Sequence, residues 1–474
     1  MIKRNNLLNI AIVAFLTILG GCTVVHPLVM KTDQELINAK VFISIESALV
    51  NPREVFVLRL ENQKYTKIPK ELLLLTNLQV LHLGYNSLTD IPEELFKLKH
   101  LQRLYLNNNR FWKVPESISL AKNLEVLDMS YNQIQAIEGS LYECILLKEL
   151  KLAKNNLTAL PDSISKLSQL EQLDLFSNQI TLLPNDIVEV VSLQRIDLDW
   201  NALQALPENF GRLTNLQSFK AEKNQLKSLS NDFGNLLNIS ELKINDNQLT
   251  HLPDNFGGLK LLNTLYLSNN QLEKLPKTIG EMELLQTINL ANNKLVELID
   301  FSGLSNLTSI NLRNNQLITI NASHFNSPNL IEINFSMNKI DHFIGLFTNV
   351  NSIEQIDLEI NNLETIPSQF TYLHKLKHLN LAQNKISILT KTVNEMAQLI
   401  TLDLSENNID LFDKIVSAHP SLQRIDLRNN KVKLIPLDYA NIKNLEALDL
   451  SGNPLYGWHI NQIKKAFKPG VVQF

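Results

Sequence analysis

Asparagine and leucine recur along this 474-residue chain with a fixed spacing. From Asn86 onwards an asparagine returns every 23 residues as far as Asn453, apart from a single step of 22 residues after Asn293. The apolar positions around each asparagine are similar, and residues 78–92 show them in full as L-x-x-L-x-L-x-x-N-x-L-x-x-I-P. With a degenerate unit at residues 58–69, the pattern predicts about 18 consecutive units.

Each unit predicts the same local structure. Leu81-x-Leu83 alternates apolar and polar positions with a period of two, which is typical of a short strand with one buried face. The recurring asparagine faces inward, where its amide satisfies backbone groups of neighbouring turns, so we interpret it as structural. A proline six residues later fixes φ where the chain turns to the other side. Since one unit cannot bury its own apolar face, stacked units form one elongated α/β solenoid.

This motif, shown by Leu78, Leu81, Leu83, Asn86 and Pro92, resembles the leucine-rich repeat family. Its leucine-proline ending and 23-residue length resemble the bacterial, Ras-suppressor-like class of repeats. The resemblance implies a curved horseshoe with parallel strands on its concave face. It also implies a protein-binding scaffold without catalytic activity.

Both ends of a solenoid need caps that cover the open core. We expect an N-terminal cap over residues 34–57, repeats over 58–456 and a C-terminal cap over 457–474. Two short helices are predicted in the leading segment, one behind the capping box formed by Thr32 and Glu35, and one from Ser44 to Leu49. An amphipathic helix from Ile460 to Phe467 and an edge strand over Val471, Val472 and Phe474 are predicted at the other end.

The first 33 residues have the pattern of a segment that targets a protein to the bacterial envelope. Lys3 and Arg4 precede an apolar stretch from Leu7 to Leu19, which is too short to span a membrane. The following Gly20-Gly21-Cys22 completes a motif that resembles the bacterial lipobox. The resemblance implies a signal peptide over residues 1–21, a diacylglycerol- and palmitate-bearing Cys22 and a lipidated tether over residues 22–33.

This segment predicts a lipoprotein of the bacterial cell envelope, which Thr23 after the cysteine assigns to the outer membrane by analogy with known sorting rules. One alternative is an ordinary signal peptide followed by a chance cysteine. Another is an unprocessed N-terminus, which would leave a cytoplasmic signalling scaffold.

The charge, the cysteine count and the spacing of histidines and glycines argue against several classes of function. The net charge of −4 is spread without long runs of one sign, which argues against a nucleic-acid partner. The two cysteines exclude a disulfide framework, and no spacing of histidines, cysteines or glycines matches a metal or nucleotide site. We therefore expect no enzyme activity, no cofactor and no metal, and we interpret Cys144 as a small buried residue.

The candidate site is the concave face. Residues six, four, two and one positions before each repeat asparagine are predicted to face solvent there, and large aromatic residues collect among them in the N-terminal half. A protein partner is the leading hypothesis, a surface adhesin or glycan-binding element is the alternative, and scattered exposed aromatics are the third interpretation. The predicted partner-binding residues are Tyr85, Tyr105, Tyr131, Phe176, Trp200, Arg195, Asp197 and Asp199.

Three further features have structural interpretations. The carboxylates and amides four residues before each asparagine in the C-terminal half, such as Asp403 and Asp426, are expected to be solvated or bonded sideways rather than to bind cations. Trp112 and Trp458 are expected to pack against the protein. Residues 294–351 lack regular prolines, which indicates a local change of curvature, with a hinge as the alternative. We expect a monomer.

Overall fold

The computed structural model describes residues 30–348, 350, 352–390, 392–412 and 419–474. The predicted signal peptide and Cys22 lie outside the described residues. The described chain builds one 20-stranded parallel sheet and two small two-stranded sheets. The strands of the large sheet are Val41–Phe42, Val57–Arg59, Val80–His82, Arg103–Tyr105, Val126–Asp128, Glu149–Lys151, Gln172–Asp174, Arg195–Asp197, Ser218–Lys220, Glu241–Lys243, Thr264–Tyr266, Thr287–Asn289, Ser309–Asn311, Glu332–Asn334, Gln355–Asp357, His378–Asn380, Thr401–Asp403, Arg424–Asp426, Ala447–Asp449 and Val472–Gln473.

The sheet has the same register at each repeat. Val80 pairs with Arg103, Leu81 with Leu104 and His82 with Tyr105, so equivalent positions of successive units lie side by side. The middle residue of each strand is buried; Leu81 and Leu104 are both fully inaccessible. The residues on either side of it face the concave surface because side chains alternate along a strand. The predicted α/β leucine-rich repeat solenoid is confirmed.

The repeat asparagines lie between neighbouring turns, as predicted. The Asn270 side-chain oxygen accepts a hydrogen bond from the backbone N–H of Leu249 at 3.0 Å. Its amide group donates to the carbonyls of Ile244 and Leu267, both at 3.1 Å. One side chain therefore joins its own unit to the preceding one, and it satisfies three backbone groups that would otherwise be buried without partners.

The convex side is made of short turns of helix. Pro92, with φ near −63°, precedes the α-helical turn Glu93–Phe96, and other prolines precede 3-10 turns in the same way. A second short α-helical turn on this side is Thr392–Glu395. The 3-10 segments are Pro52–Glu54, Lys70–Leu74, Glu116–Leu120, Gly139–Glu143, Asp162–Lys166, Asn185–Glu189, Phe210–Arg212, Phe233–Asn235, Phe256–Gly258, Lys277–Glu281, Ala322–Phe325, Ser368–Tyr372 and Leu437–Asn441.

In four of the units that lack the proline, the turn region forms extra strands. Thr319–Asn321 pairs with His342–Ile344, and Ile388–Leu389 pairs with Leu411–Phe412. Proline lacks an N–H group, so its replacement provides a donor for such pairing. The main sheet stays continuous here, because Ser309–Asn311 pairs with a strand on each side. The irregular region therefore keeps the solenoid in register.

Three consecutive units carry a phenylalanine-glycine pair on the convex side. Phe233 stacks between Phe210 and Phe256, with ring centres 6.1 and 6.2 Å away. A Cβ on Gly234 would lie 1.9 Å from the carbonyl oxygen of Asn255 in the next unit. Only glycine allows the units to approach this closely.

A short helix and an end strand lie at each end of the large sheet. The helix Ile45–Leu49, capped by Ser44, buries Ala48 against the first repeat, while Val41–Phe42 extends the sheet. At the other end the helix Gly457–Ala466 buries Ile463, and Val472–Gln473 forms the last strand. Among the helices of the described residues, none combines the length and the apolar character that crossing a membrane requires.

Candidate functional site on the concave face

Three of the predicted aromatic residues form an exposed row. Tyr85, Tyr131 and Trp200 each directly precede a repeat asparagine and are 56%, 52% and 53% exposed. They do not lie on the strands. Their φ values of 54°, 55° and 58° place them in the left-handed region, in the turn that follows each strand.

The left-handed turn was not foreseen from the sequence, although a signal for it exists. Asparagine, which tolerates positive φ better than other non-glycine residues, occupies the same position in several units. These are Asn108, Asn269, Asn292, Asn314 and Asn429. A large aromatic residue in this conformation is unusual, because positive φ brings its Cβ close to the following carbonyl oxygen.

Lysines of the same region lie over two aromatic rings. The Lys223 ammonium is 3.8 Å from the centre of the Trp200 ring, and that of Lys154 is 5.0 Å from the centre of Phe176. Both distances are within the range of a cation–π interaction. Phe176 is half-buried, so it offers less surface to a partner than Trp200 does.

Tyr105 is less accessible than predicted. It is half-buried, and its ring stacks on His82 with centres 4.2 Å apart and planes 8° from parallel. Burial, and secondarily the charge of Arg59, lowers the pKa of His82 to about 4. His82 is therefore neutral at physiological pH, and its 3.5 Å contact with Glu61 is not an ion pair there.

The first concave strands are covered by the chain itself. Residues 31–38, which we call the strap, contain the helix Asp33–Ile37 behind the predicted capping box of Thr32 and Glu35. The buried Leu36 packs against Val57 and Val80 on two adjacent strands. The sequence predicted the helix but not its position on the concave face.

The predicted polar residues have three different environments. Arg195 is exposed, and the Asp197 carboxylate accepts a hydrogen bond from the backbone N–H of Asp199 at 3.1 Å. The prediction that Asp199 faces solvent is wrong. It is 8% exposed, and its carboxylate accepts from the Glu222 N–H at 2.6 Å. Burial raises the pKa of Asp199 to about 7, and the charges of Asp197 and Glu222 add to this effect.

The polar row of the C-terminal half is bonded to its own backbone. The Asp403 carboxylate accepts from the N–H of Ser405 at 2.9 Å, and Asp449 accepts from Ser451 at the same distance. Only an acceptor oxygen is needed, so both aspartate and asparagine occur in this row. In the part of the chain that the structure describes, no three His, Cys, Asp or Glu side chains are grouped to hold a metal ion.

The cysteine and the two tryptophans discussed above differ in their exposure. Cys144 is fully buried, as predicted, and burial raises the pKa of its thiol to about 11, which makes it a poor nucleophile. Trp112 and Trp458, which we expected to pack against the protein, are only partly covered. They are 56% and 58% exposed, and Trp458 is flanked by the ring of Tyr456 with centres 5.9 Å apart.

The repeated register, the asparagine ladder and the open concave face define this chain as a leucine-rich repeat protein. Family models agree: one described as a leucine-rich repeat region matches residues 122–245, and a two-copy leucine-rich repeat model matches residues 76–121. A third, described as a leucine rich repeat, matches residues 237–295 and 262–317. Proteins of this family and fold are typically non-enzymatic scaffolds for protein interaction.

Solved structures show the same architecture. A leucine-rich repeat protein of Leptospira interrogans is 29% identical over 92% of this chain and 100% of its own, with a TM-score of 0.60. The Arabidopsis receptor kinase HAESA, solved with the peptide hormone IDA and the co-receptor SERK1, is 26% identical over 88% of this chain and 77% of its own, with a TM-score of 0.62.

YopM from Yersinia enterocolitica shares the fold at 24% identity over 89% of this chain and 92% of its own, with a TM-score of 0.60. Curated protein sequences gave no match.

Proposed function

We propose that this chain is a monomeric, non-enzymatic scaffold that binds a protein partner on the concave face of its N-terminal half. The observation that carries the proposal is the row of large aromatic side chains held outward in left-handed turns, above all Tyr131 and Trp200. Tyrosine and tryptophan dominate the binding energy of protein interfaces. A related architecture, HAESA, has been solved with a peptide hormone and a co-receptor, which supports a protein ligand here.

The solenoid presents these side chains on a rigid surface. Tyr131 and Trp200 lie three units apart, which is about 14 Å at the spacing of adjacent strands. Their backbones are fixed by the hydrogen bonds of neighbouring units, with the Trp200 N–H donating to the Glu222 carbonyl at 2.8 Å. Little conformational entropy is lost when such a surface binds. The exposed Arg195 adds a charge that a protein partner would match.

The test places a photo-crosslinking amino acid at Ser177, which occupies the left-handed turn between those of Tyr131 and Trp200. We expect one protein adduct in intact cells. The combined Tyr131→Asn and Trp200→Asn change should abolish it, because asparagine suits the turn but offers no aromatic anchor. A probe at Ser119, which is partly exposed on the convex side, is the matched control.

Equal adducts from both faces would contradict the proposal. An adduct that resists protease but is removed by glycosidases would favour the glycan-binding alternative. The folded state of the double variant is checked by its melting temperature, which we expect to stay within a few degrees, since both side chains are exposed.

We further propose that Cys22 carries the lipid that holds the scaffold at the bacterial envelope, with the outer membrane as the expected site. The support is the sequence motif, since two or more acyl chains give stable anchoring. Cys22→Ser should move the protein from the membrane to the soluble fraction, while Cys144→Ser should not. Protease treatment of intact cells then distinguishes a surface-exposed solenoid, which is digested, from a periplasmic or cytoplasmic one, which is protected until lysis.

A further inference from the structure

The strap lies on the concave face without being part of the end cap. Leu36 forms a small apolar cluster with Val57 and Val80 that is separate from the main core. The cap helix is different, because its Ile45 and Ala48 belong to the main core. Closing the end of the solenoid therefore does not require the strap, and its position needs another explanation.

The contacts of the strap are those of a bound peptide. Asp33 and Leu36 are three residues apart on a helical turn, so they point to the same side. Leu36 enters the apolar site at Val80, and Asp33 pairs with Arg103 at 2.5 Å. Val80 and Arg103 are direct neighbours on adjacent strands, which makes an apolar and a cationic subsite side by side.

A third contact is made to the backbone of the strap. The side-chain amide of Gln79 is fully buried and holds the backbone of Lys31 at both of its polar groups. The Lys31 N–H donates to the Gln79 oxygen at 2.8 Å, and the Gln79 amide donates to the Lys31 carbonyl at 3.0 Å. Such a pair of bonds accepts any residue type except proline at this position, so sequence selectivity comes from the two neighbouring subsites.

The strap makes few buried contacts of its own. Leu36 is the only buried residue of its helix, and the adjacent Ile37 is 73% exposed. The Asp33 side chain is 70% exposed in its ion pair. Exposed ion pairs contribute little to stability, so Leu36, the Gln79 contact and the Lys31 ammonium 4.6 Å from the centre of the Phe56 ring hold most of the segment. A competing segment can displace it.

We propose that Gln79, Val80 and Arg103 form a peptide-binding site that the strap occupies in cis, and that it takes a partner segment with an aliphatic residue three positions after a carboxylate. The site is distinct from the Tyr131 and Trp200 surface and does not depend on the lipid anchor. The strap is then a competitor that keeps the site closed until such a segment arrives.

The test uses a labelled peptide with the sequence of residues 30–40 and fluorescence anisotropy on the full chain. Leu36→Asp in the protein should release the strap and tighten binding of the added peptide at least tenfold relative to the wild type. Ile37→Asp, which changes the neighbouring exposed residue, is the matched control and should leave binding as in the wild type. Equal affinity in all three proteins, or no binding to the Leu36→Asp chain, would overturn the proposal.

A charge exchange tests the site itself. The Arg103→Glu chain should bind the wild-type peptide weakly but bind a peptide carrying Asp33→Lys at least tenfold better. A folding defect would weaken both peptides alike, so this reversal separates recognition from loss of structure. Equal affinity of the Arg103→Glu chain for the two peptides would exclude Arg103 as the carboxylate subsite.

Discussion

The ammonium of Lys223 lies over the ring of Trp200, 3.8 Å from its centre. The two residues occupy equivalent left-handed positions of adjacent units, with φ values of 54° and 58°. Stacking of the units therefore sets their separation. The lysine covers one side of an aromatic residue that is otherwise half exposed, and it restricts the orientations of the indole before any partner binds.

Replacing Lys223 with Gln should make the Trp200 ring more mobile and more accessible to solvent. In a background that carries Trp112→Phe and Trp458→Phe, all tryptophan fluorescence comes from Trp200. We expect the Lys223→Gln change to increase acrylamide quenching of this emission, because a cation no longer lies against the ring. Lys227→Gln in the same unit is the control, and equal quenching in both variants would show that Lys223 does not order the ring.

Asn270→Ala should destabilise the chain by about 3–5 kcal/mol, since it leaves one buried donor and two buried acceptors without partners. Asn270→Asp keeps the acceptor for Leu249 but removes both donors, and we expect it also to be destabilising. Urea unfolding measures the loss. Hydrogen exchange of the Leu249 amide should accelerate in the alanine variant more than in the aspartate variant; unchanged exchange in both would contradict the role of the ladder.

Asp199→Asn should stabilise the protein at high pH only. The pKa of Asp199 is raised from 3.8 to about 7, so the folded state binds a proton that the unfolded chain has lost between these values. Stability therefore falls as pH rises from about 4 to about 7, by a total of about 2–4 kcal/mol. The asparagine variant should escape this loss.

Thermal melting at pH 4 and pH 8 provides the measurement for Asp199. Asp199→Ala is the comparison, because it also removes the charge but leaves the Glu222 N–H without its acceptor. We expect the alanine variant to be less stable than the asparagine variant at both pH values. A melting temperature of the asparagine variant that matches the wild type at pH 8 would show that burial of Asp199 has no energetic cost.

Gly234→Ala should destabilise by about 1–3 kcal/mol, because the added methyl group overlaps the Asn255 carbonyl and forces two units apart. Gly139→Ala is the matched control. A Cβ at Gly139 meets no atom within 4 Å, so this change should be neutral or slightly stabilising. Chemical denaturation of the two variants gives the comparison, and equal stability would mean that the convex units can relax around the extra atom.

Most of the fold follows from the sequence because every unit repeats one local solution. The spacing of Leu81, Leu83 and Asn86 indicates a strand, its buried face and the inward amide, and the structure confirms all three. The helices at the two ends were also predictable, since Ser44 and the apolar Ile463 have ordinary helix signals. The structural features that could be inferred from the sequence are therefore mainly those that recur in every unit.

The candidate site was harder to predict because it depends on positions that do not repeat. Alternation places Trp200 on the concave face, but it does not show that the strand has already ended in a left-handed turn. It also gives Asp199 an outward direction, whereas contact with the next unit buries it. The position of the strap depends on contacts between Leu36 and residues 21 and 44 positions away, for which the local sequence has no signal.

The strap also determines which contacts bear a force that is applied to the chain on the N-terminal side of Lys31. The chain meets the solenoid at Gln79, in the second repeat, before it returns to the first strand at Val41. Tension would therefore load the Lys31–Gln79 contact first and peel the strap from the concave face while the repeats stay intact. Once released, the eight residues of the strap can extend to about 26 Å. The molecule can thus yield to mechanical load at one end without unfolding.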